Sequence, residues 1–211
     1  MRKSNPAKYP VNRNVQAYFL GEVHSRRTFL IDIDVLRSSL KSGADSFFDE
    51  TWLIGFLWYE VSKNSEFDDE GDEELEDVFV VKSAAVNGWG PFLYECAMSK
   101  AVSDGFAGLS PDRSTVSIAA RNMWKKFNNR DDIVKSELSQ FDNLYPREFH
   151  KDSFLNYSYS MLEPFDVDRM VSKINTVFKL NSEDLNITMS EFRCHMDEKG
   201  ENMFEFFRPL P

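Results

Sequence analysis

The chain has 211 residues, of which 42% are apolar and 14% aromatic, including nineteen Phe; that is room for one substantial core and excludes a disordered acidic chain. Twenty-five basic against thirty-five acidic residues give a formal net charge of -10, which excludes general affinity for nucleic-acid backbones, since that needs clustered Lys and Arg. Two cysteines without CxxC or Cys/His ligand spacing argue against a disulfide framework and against a metal site. No stretch reaches the ~18 apolar residues of a membrane span and no signal-peptide core follows Met1, so a cytoplasmic protein without membrane contact is expected.

Residues 1–14 are polar, with Pro6 and Pro10, and read as an extended lead-in. Short strands are expected over 16–20 and 28–33, then a helix capped by Asp34 that runs to about Leu40 and ends at Gly43. Residues 52–61 form a near-continuous apolar and aromatic run suited to a central strand, where Gly55 marks a bulge or a close backbone approach. Nine of the twelve residues 66–77 are acidic. Their spacing partly follows a calcium loop, but Glu73 stands where an apolar residue docks such a loop, and a solvated hairpin is the reading that fits.

Residues 78–82 read as a strand that enters the turn Asn87-Gly88-Trp89-Gly90, and Pro91 suits the first turn of the helix that follows. That helix is apolar except for a stripe through Glu95, Ser99 and Ser103, and Gly105 stops it. Residues 106–109 return to the sheet and 110–113 turn. Val116, Ala119, Ala120, Met123, Trp124 and Phe127 then fall on one helical stripe. Further on, a short helix is expected over 133–141 and a strand over 156–162. Asp166 caps a helix with Val167, Met170, Ile174 and Phe178 on one face, Cys194-His195 lies in a strand or turn, and 203–207 alternate as a final strand.

The glycine turn is the segment best suited to chemistry. Gly88 and Gly90 remove two side chains where a strand enters a helix, so an anion can approach bare amides at a helix N-terminus. The same glycines also suit close helix–sheet packing, and both readings stand. Glu60 at the end of the central strand and Tyr94 on the glycine-turn helix are the nearby acid–base candidates. Asp112, Arg113 and Ser117 lie between a strand end and a helix start, a common place for binding residues and equally for turns and caps.

The order strand, strand, helix, strand, acidic hairpin, strand, glycine turn, helix, strand, helix resembles the GNAT N-acetyltransferase family over about residues 16–130. Leu53-Ile54-Gly55-Phe56-Leu57 is similar to the family's central strand, Asn87-Gly88-Trp89-Gly90-Pro91-Phe92-Leu93 to its pyrophosphate loop, and 117–127 to the helix that follows. Gly-x-Gly-Pro-x-Leu-Tyr, then Pro-Asp-Arg-x-x-Val-Ser, resembles GNAT-like proteins of tailed bacteriophages. The resemblance implies an α/β (α+β) fold, a mixed central sheet flanked by helices. It divides the chain into a lead-in (1–14), a core (15–130) and a C-terminal helix and strand extension (131–211) that packs on or completes the core.

It also implies acetyl-CoA as co-substrate, held by Val80, Val81, Gly88, Trp89, Gly90 and Phe92. The acceptor it implies is an amine substrate or a host protein; by their position, Asp112, Arg113 and Ser117 are the binding candidates, and Glu60 and Tyr94 are the nearby substitutes for the family's catalytic residues. Ala85 stands where the family's loop carries a basic or amide residue, Pro91 lacks an amide, and Trp124 occupies the position of its acid Tyr. Those departures support an alternative, a GNAT-shaped phage binding or virion protein without catalysis. A third reading is an acidic decoy that presents 66–77 to a host nucleic-acid enzyme.

Overall fold

The computed structural model describes residues 13–22, 25–48, 52–61, 78–86, 88–112, 115–138 and 152–207, with side chains as far as 203. It has an α+β fold: among the described residues, six α-helices pack on a four-stranded antiparallel sheet and a two-stranded one. Strand β1 (Val15–Glu22) pairs with β2 (Ser25–Asp32) from Val15↔Asp32 to Glu22↔Ser25. Helix α1 (Ile33–Ser42) is capped by Asp32, not Asp34; its carboxylate accepts the amides of Asp34 and Val35, each at 3.2 Å. Asp32 still has the extended backbone of the strand, as a cap requires, whereas Asp34 is already in the first turn, where its charge suits the positive end of the helix.

After Gly43, with φ of 113°, the short helix α2 (Ala44–Phe48) places Phe47 against Trp52, whose indole N–H donates to the Phe47 carbonyl at 2.9 Å. Strand β3 (Leu53–Val61) runs antiparallel between β2 and β4 (Val78–Ala85), giving the order β1-β2-β3-β4. Both readings of Gly55 hold. The β2–β3 register shifts between Leu30 and Ile31 opposite it, and a Cβ there would lie 3.2 Å from the Leu30 side chain.

Helices cover the two faces of this sheet. On one, Leu57, Tyr59, Val78 and Val80 meet Leu93, Tyr94 and Ala97 of α3 (Gly90–Ser103) and Trp124 and Phe127 of α4 (Ile118–Asn128). On the other, Tyr18, Phe29, Ile31 and Phe56 meet α1, α2, α5 (Val167–Ser182) and α6 (Met189–Phe207). The Asp166 carboxylate caps α5, accepting the Arg169 amide at 2.9 Å. No helix among the described residues is long and apolar enough to cross a membrane.

Leu109 and Ser110 tie the two sheets together. Ser110 lies parallel to β4, donating to Val78 at 2.6 Å and accepting from Val80 at 3.0 Å. Leu109 exchanges amide hydrogen bonds of 2.8 and 3.0 Å with Tyr159 of β6 (Tyr157–Met161), which pairs antiparallel with β5 (Ile133–Glu137). Gly108 permits this approach, since a Cβ there would lie 2.5 Å from the Tyr159 carbonyl oxygen. The backbone ladder therefore continues from β4 through 109–110 to β6 and β5.

Four local expectations need correction. Residues 133–137 form strand β5 where a helix was expected; β-branched Ile133 and Val134 find ladder partners in Met161 and Ser160. Residues 203–207 end α6 in place of a final strand, and Cys194-His195 lies inside the same helix. A capping box starts it: Glu191 accepts the Thr188 amide at 2.7 Å while the Thr188 hydroxyl accepts the Glu191 amide at 3.2 Å. Phe192, Met196 and Met203 then pack on the sheet, and a Cβ at Gly200 would overlap the Phe56 ring.

The polar stripe of α3 is only partly solvated: the 130–132 turn covers Glu95 and Phe165 covers Ser99, whereas Ser103 is exposed. Glu95 is 1% exposed and paired with Arg130, and the Ser99 hydroxyl accepts the Phe165 amide at 3.0 Å. Ala119, finally, points outward from α4, whose inner face is carried by Ala120, Met123, Trp124 and Phe127.

Candidate functional site

The candidate site is the edge of β4 away from β3, which among the described residues is paired only at its Val78–Val80 end, together with the turn that β4 enters. In the β3–β4 register Tyr59 faces Val80 and Trp58 faces Lys82, so Val81 is the extra residue of a β-bulge. Before the bulge, Val78 and Val80 direct their peptide groups away from β3 onto Ser110. After it, Val86 donates to Ile54 at 2.9 Å. Strand alternation then turns the peptide groups of Ser83 and Ala85 away from β3. The parallel partner pairs only at the Val78–Val80 end, and the chain departs from it through Pro111 and Asp112 towards α4.

The turn follows directly. Gly88 has φ of 89°, a conformation that favours glycine, and the Trp89 amide closes the turn on Val86 at 3.0 Å. The first hydrogen bond of α3 runs from Leu93 to Trp89 at 3.0 Å, so the amides before Leu93 have no acceptor four residues back and lie at the positive end of the helix. Trp89 and Phe92 pack edge-on at 5.9 Å and Phe92 lies 5.6 Å from Phe165, so these two side chains anchor the turn. Gly90 also has a packing role: a Cβ there would lie 3.2 Å from the Met123 methyl on α4.

Tyr94 is 1% exposed, and its hydroxyl lies 2.8 Å from the Ser83 hydroxyl on β4. Trp124 packs edge-on against its ring at 5.2 Å. Burial pushes the phenol up to about 12, with the Ser83 hydrogen bond working against that rise and the Asp112 carboxylate adding to it. Tyr94 of α3 and Ser83 of β4 therefore meet just beyond the bulge, within electrostatic reach of Asp112.

Other candidates lie elsewhere. Alternation along β3 sets Glu60 on the α6 face with Phe56 and Trp58, across the sheet from Tyr94, so these two do not form one acid–base pair. Ser117 is exposed and acts as the N-cap of α4, accepting the Ala120 amide at 3.2 Å. Arg113, Asn87 and the acidic stretch 66–77 lie outside the described residues.

Sequence reasoning missed Ser83, because unbroken two-residue alternation from Val78 and Val80 aims it away from α3, and only the bulge turns it towards Tyr94. It also missed Arg130, whose guanidinium holds both buried Glu95 and Asp132, the latter at 2.8 and 2.6 Å, and lies over the Phe127 ring. The Arg130 hydrogen bonds hold the Asp132 carboxyl below its ordinary value. A single Glu on an otherwise apolar helix was the available signal. A cavity of about 340 Å³ lies along α5 between Asp168 and Lys179, and none of the candidate residues lines it. No protein-family model, curated protein or solved structure matches this chain.

Proposed function

We propose that this chain is a GNAT-like N-acyltransferase that binds acetyl-CoA and transfers its acetyl group to an amine, in the cytoplasm where CoA substrates occur. The observation that carries the reading is the bulged β4 edge running directly into a glycine turn and a helix N-terminus. The outward peptide groups of Ser83 and Ala85 suit the amide-bearing pantetheine arm, whereas the Val80 amide is taken by Ser110. The turn and first amides of α3 suit the diphosphate. In the transfer itself the amine nitrogen attacks the thioester carbonyl and gives up a proton to solvent, the C–S bond breaks, and the departing thiolate takes up a proton. The Tyr94–Ser83 hydroxyl pair is the proton source that faces this edge.

Calorimetry with acetyl-CoA tests the reading. Binding is expected at sub-millimolar concentration in the native chain and its loss in Gly90→Glu, whose carboxylate would stand among the amides meant for the diphosphate. Circular dichroism of the variant checks that the fold survives the Met123 contact. Absence of binding by the native chain, or unchanged binding by a folded Gly90→Glu, sinks the proposal.

A specific observation favours a second reading, a GNAT-shaped binding protein that does no chemistry. Glu60 lies across the sheet from Tyr94, and the Tyr94 hydroxyl is already engaged by Ser83 within the core. Acetyl transfer to an amine that disappears in Tyr94→Phe rules this second reading out.

A further inference from the structure

We propose that the outer edge of β5 pairs antiparallel with β5 of a second copy of this chain, about a two-fold axis at Ser136. The first observation is exposure: β5 buries only Ile133 of its five residues, and among the described residues no strand lies on its far side. Exposed strand edges are templates for pairing with another chain. The second is which peptide groups that edge offers. Leu162 donates to Asp132 at 3.0 Å and Leu138 to Asn156 at 3.2 Å, so the even-numbered residues of this segment bond to β6. By alternation, Ile133, Lys135 and Glu137 direct their N–H and C=O groups outward.

The third is charge, which identifies the partner. Only registers that bring outward-facing residues opposite one another can form the ladder. One of them sets Lys135 against Lys135 of the second copy, which like-charge repulsion disfavours. The next sets Lys135 against Glu137 and Glu137 against Lys135, so each copy supplies what the other lacks. Lys135 and Glu137 share a strand face and are both exposed, the Lys135 ammonium donating to the Asn128 carbonyl at 3.0 Å in the single chain. In this register Val134, 42% exposed in the single chain, comes opposite Leu138 of the second copy. The strand thus complements itself in one register, and a second copy is the occupant that its sequence fits.

That register makes a geometric demand. The two Ser136 residues face each other as a non-hydrogen-bonded pair with Cα atoms about 4.5 Å apart, within the roughly 4.4–6.8 Å that a disulfide spans. Sedimentation velocity of the full chain from micromolar to millimolar concentration is expected to show a monomer–dimer equilibrium. Lys135→Glu should weaken it at least tenfold, and Lys135→Glu with Glu137→Lys should restore it. In a Cys194→Ser background, Ser136→Cys should form a disulfide-linked dimer under mild oxidation, whereas Lys135→Cys should not. A monomer at every concentration overturns the proposal. So does a dimer indifferent to Lys135→Glu, or one that crosslinks through position 135 in preference to 136.

Discussion

Arg130 anchors more of this fold than any other charged side chain described. It pairs with Glu95 in the core, grips Asp132 with two further hydrogen bonds and covers the Phe127 ring, so α3, α4 and the start of β5 are held by one guanidinium. Arg130→Ala leaves the Glu95 carboxylate buried without its cation. A loss of about 3–5 kcal/mol is expected in denaturant unfolding, and Glu95→Leu combined with Arg130→Met should recover much of it. Tyr94 makes a second test at this scale. Its folded pKa of about 12 lies above the ordinary 10, so the neutral phenol is the form the fold prefers. The stability it contributes is complete below pH 10 and is lost as pH rises towards 12, by about 2–3 kcal/mol. Stability measured across that range should fall less steeply in Tyr94→Phe than in the native chain.

Among the elements, α6 shows how a helix can be hidden in its sequence. Its end, Met203-Phe204-Glu205-Phe206-Phe207, alternates like a strand, and Gly200 interrupts it. The capping box at Thr188 and Glu191 and the 192, 196, 203 stripe are helical signals, but they take effect only because the sheet supplies Phe56 as a surface. Gly200→Ala forces a methyl group into that ring and should cost about 1–3 kcal/mol. Thr188→Ala removes the cap and should cost about 1 kcal/mol. Thermal unfolding of both variants checks the ordering.

The elements legible in sequence were those whose pattern is local: β1, β2, β3, the start of β4, the helix after the glycine turn, and α5 with its Asp166 cap. Those misread depend on a distant partner. Strand β5 exists because β6 pairs with it, and Glu95 is buried because Arg130, thirty-five positions away, neutralises it. The site divides in the same way. The glycine turn was visible as residues, whereas the phase change at Val81 that brings Ser83 to Tyr94 is a property of two strands together.

For the molecule as a whole, the elements join into one ladder that starts at β1, passes through 109–110 and ends at β5. The junction beside β4 is where that ladder is shortest, and it lies next to the bulge and the turn before α3. The proposed acyl-CoA site lies beside that junction, so a ligand bound there would bridge a seam made of few backbone hydrogen bonds. Thermal unfolding with increasing acetyl-CoA measures this most directly. A native-state ligand at a hundredfold excess over its Kd stabilises by about 2.7 kcal/mol. The account predicts a midpoint that rises with acetyl-CoA and does not rise in Gly90→Glu; a midpoint unmoved at millimolar acetyl-CoA would contradict it.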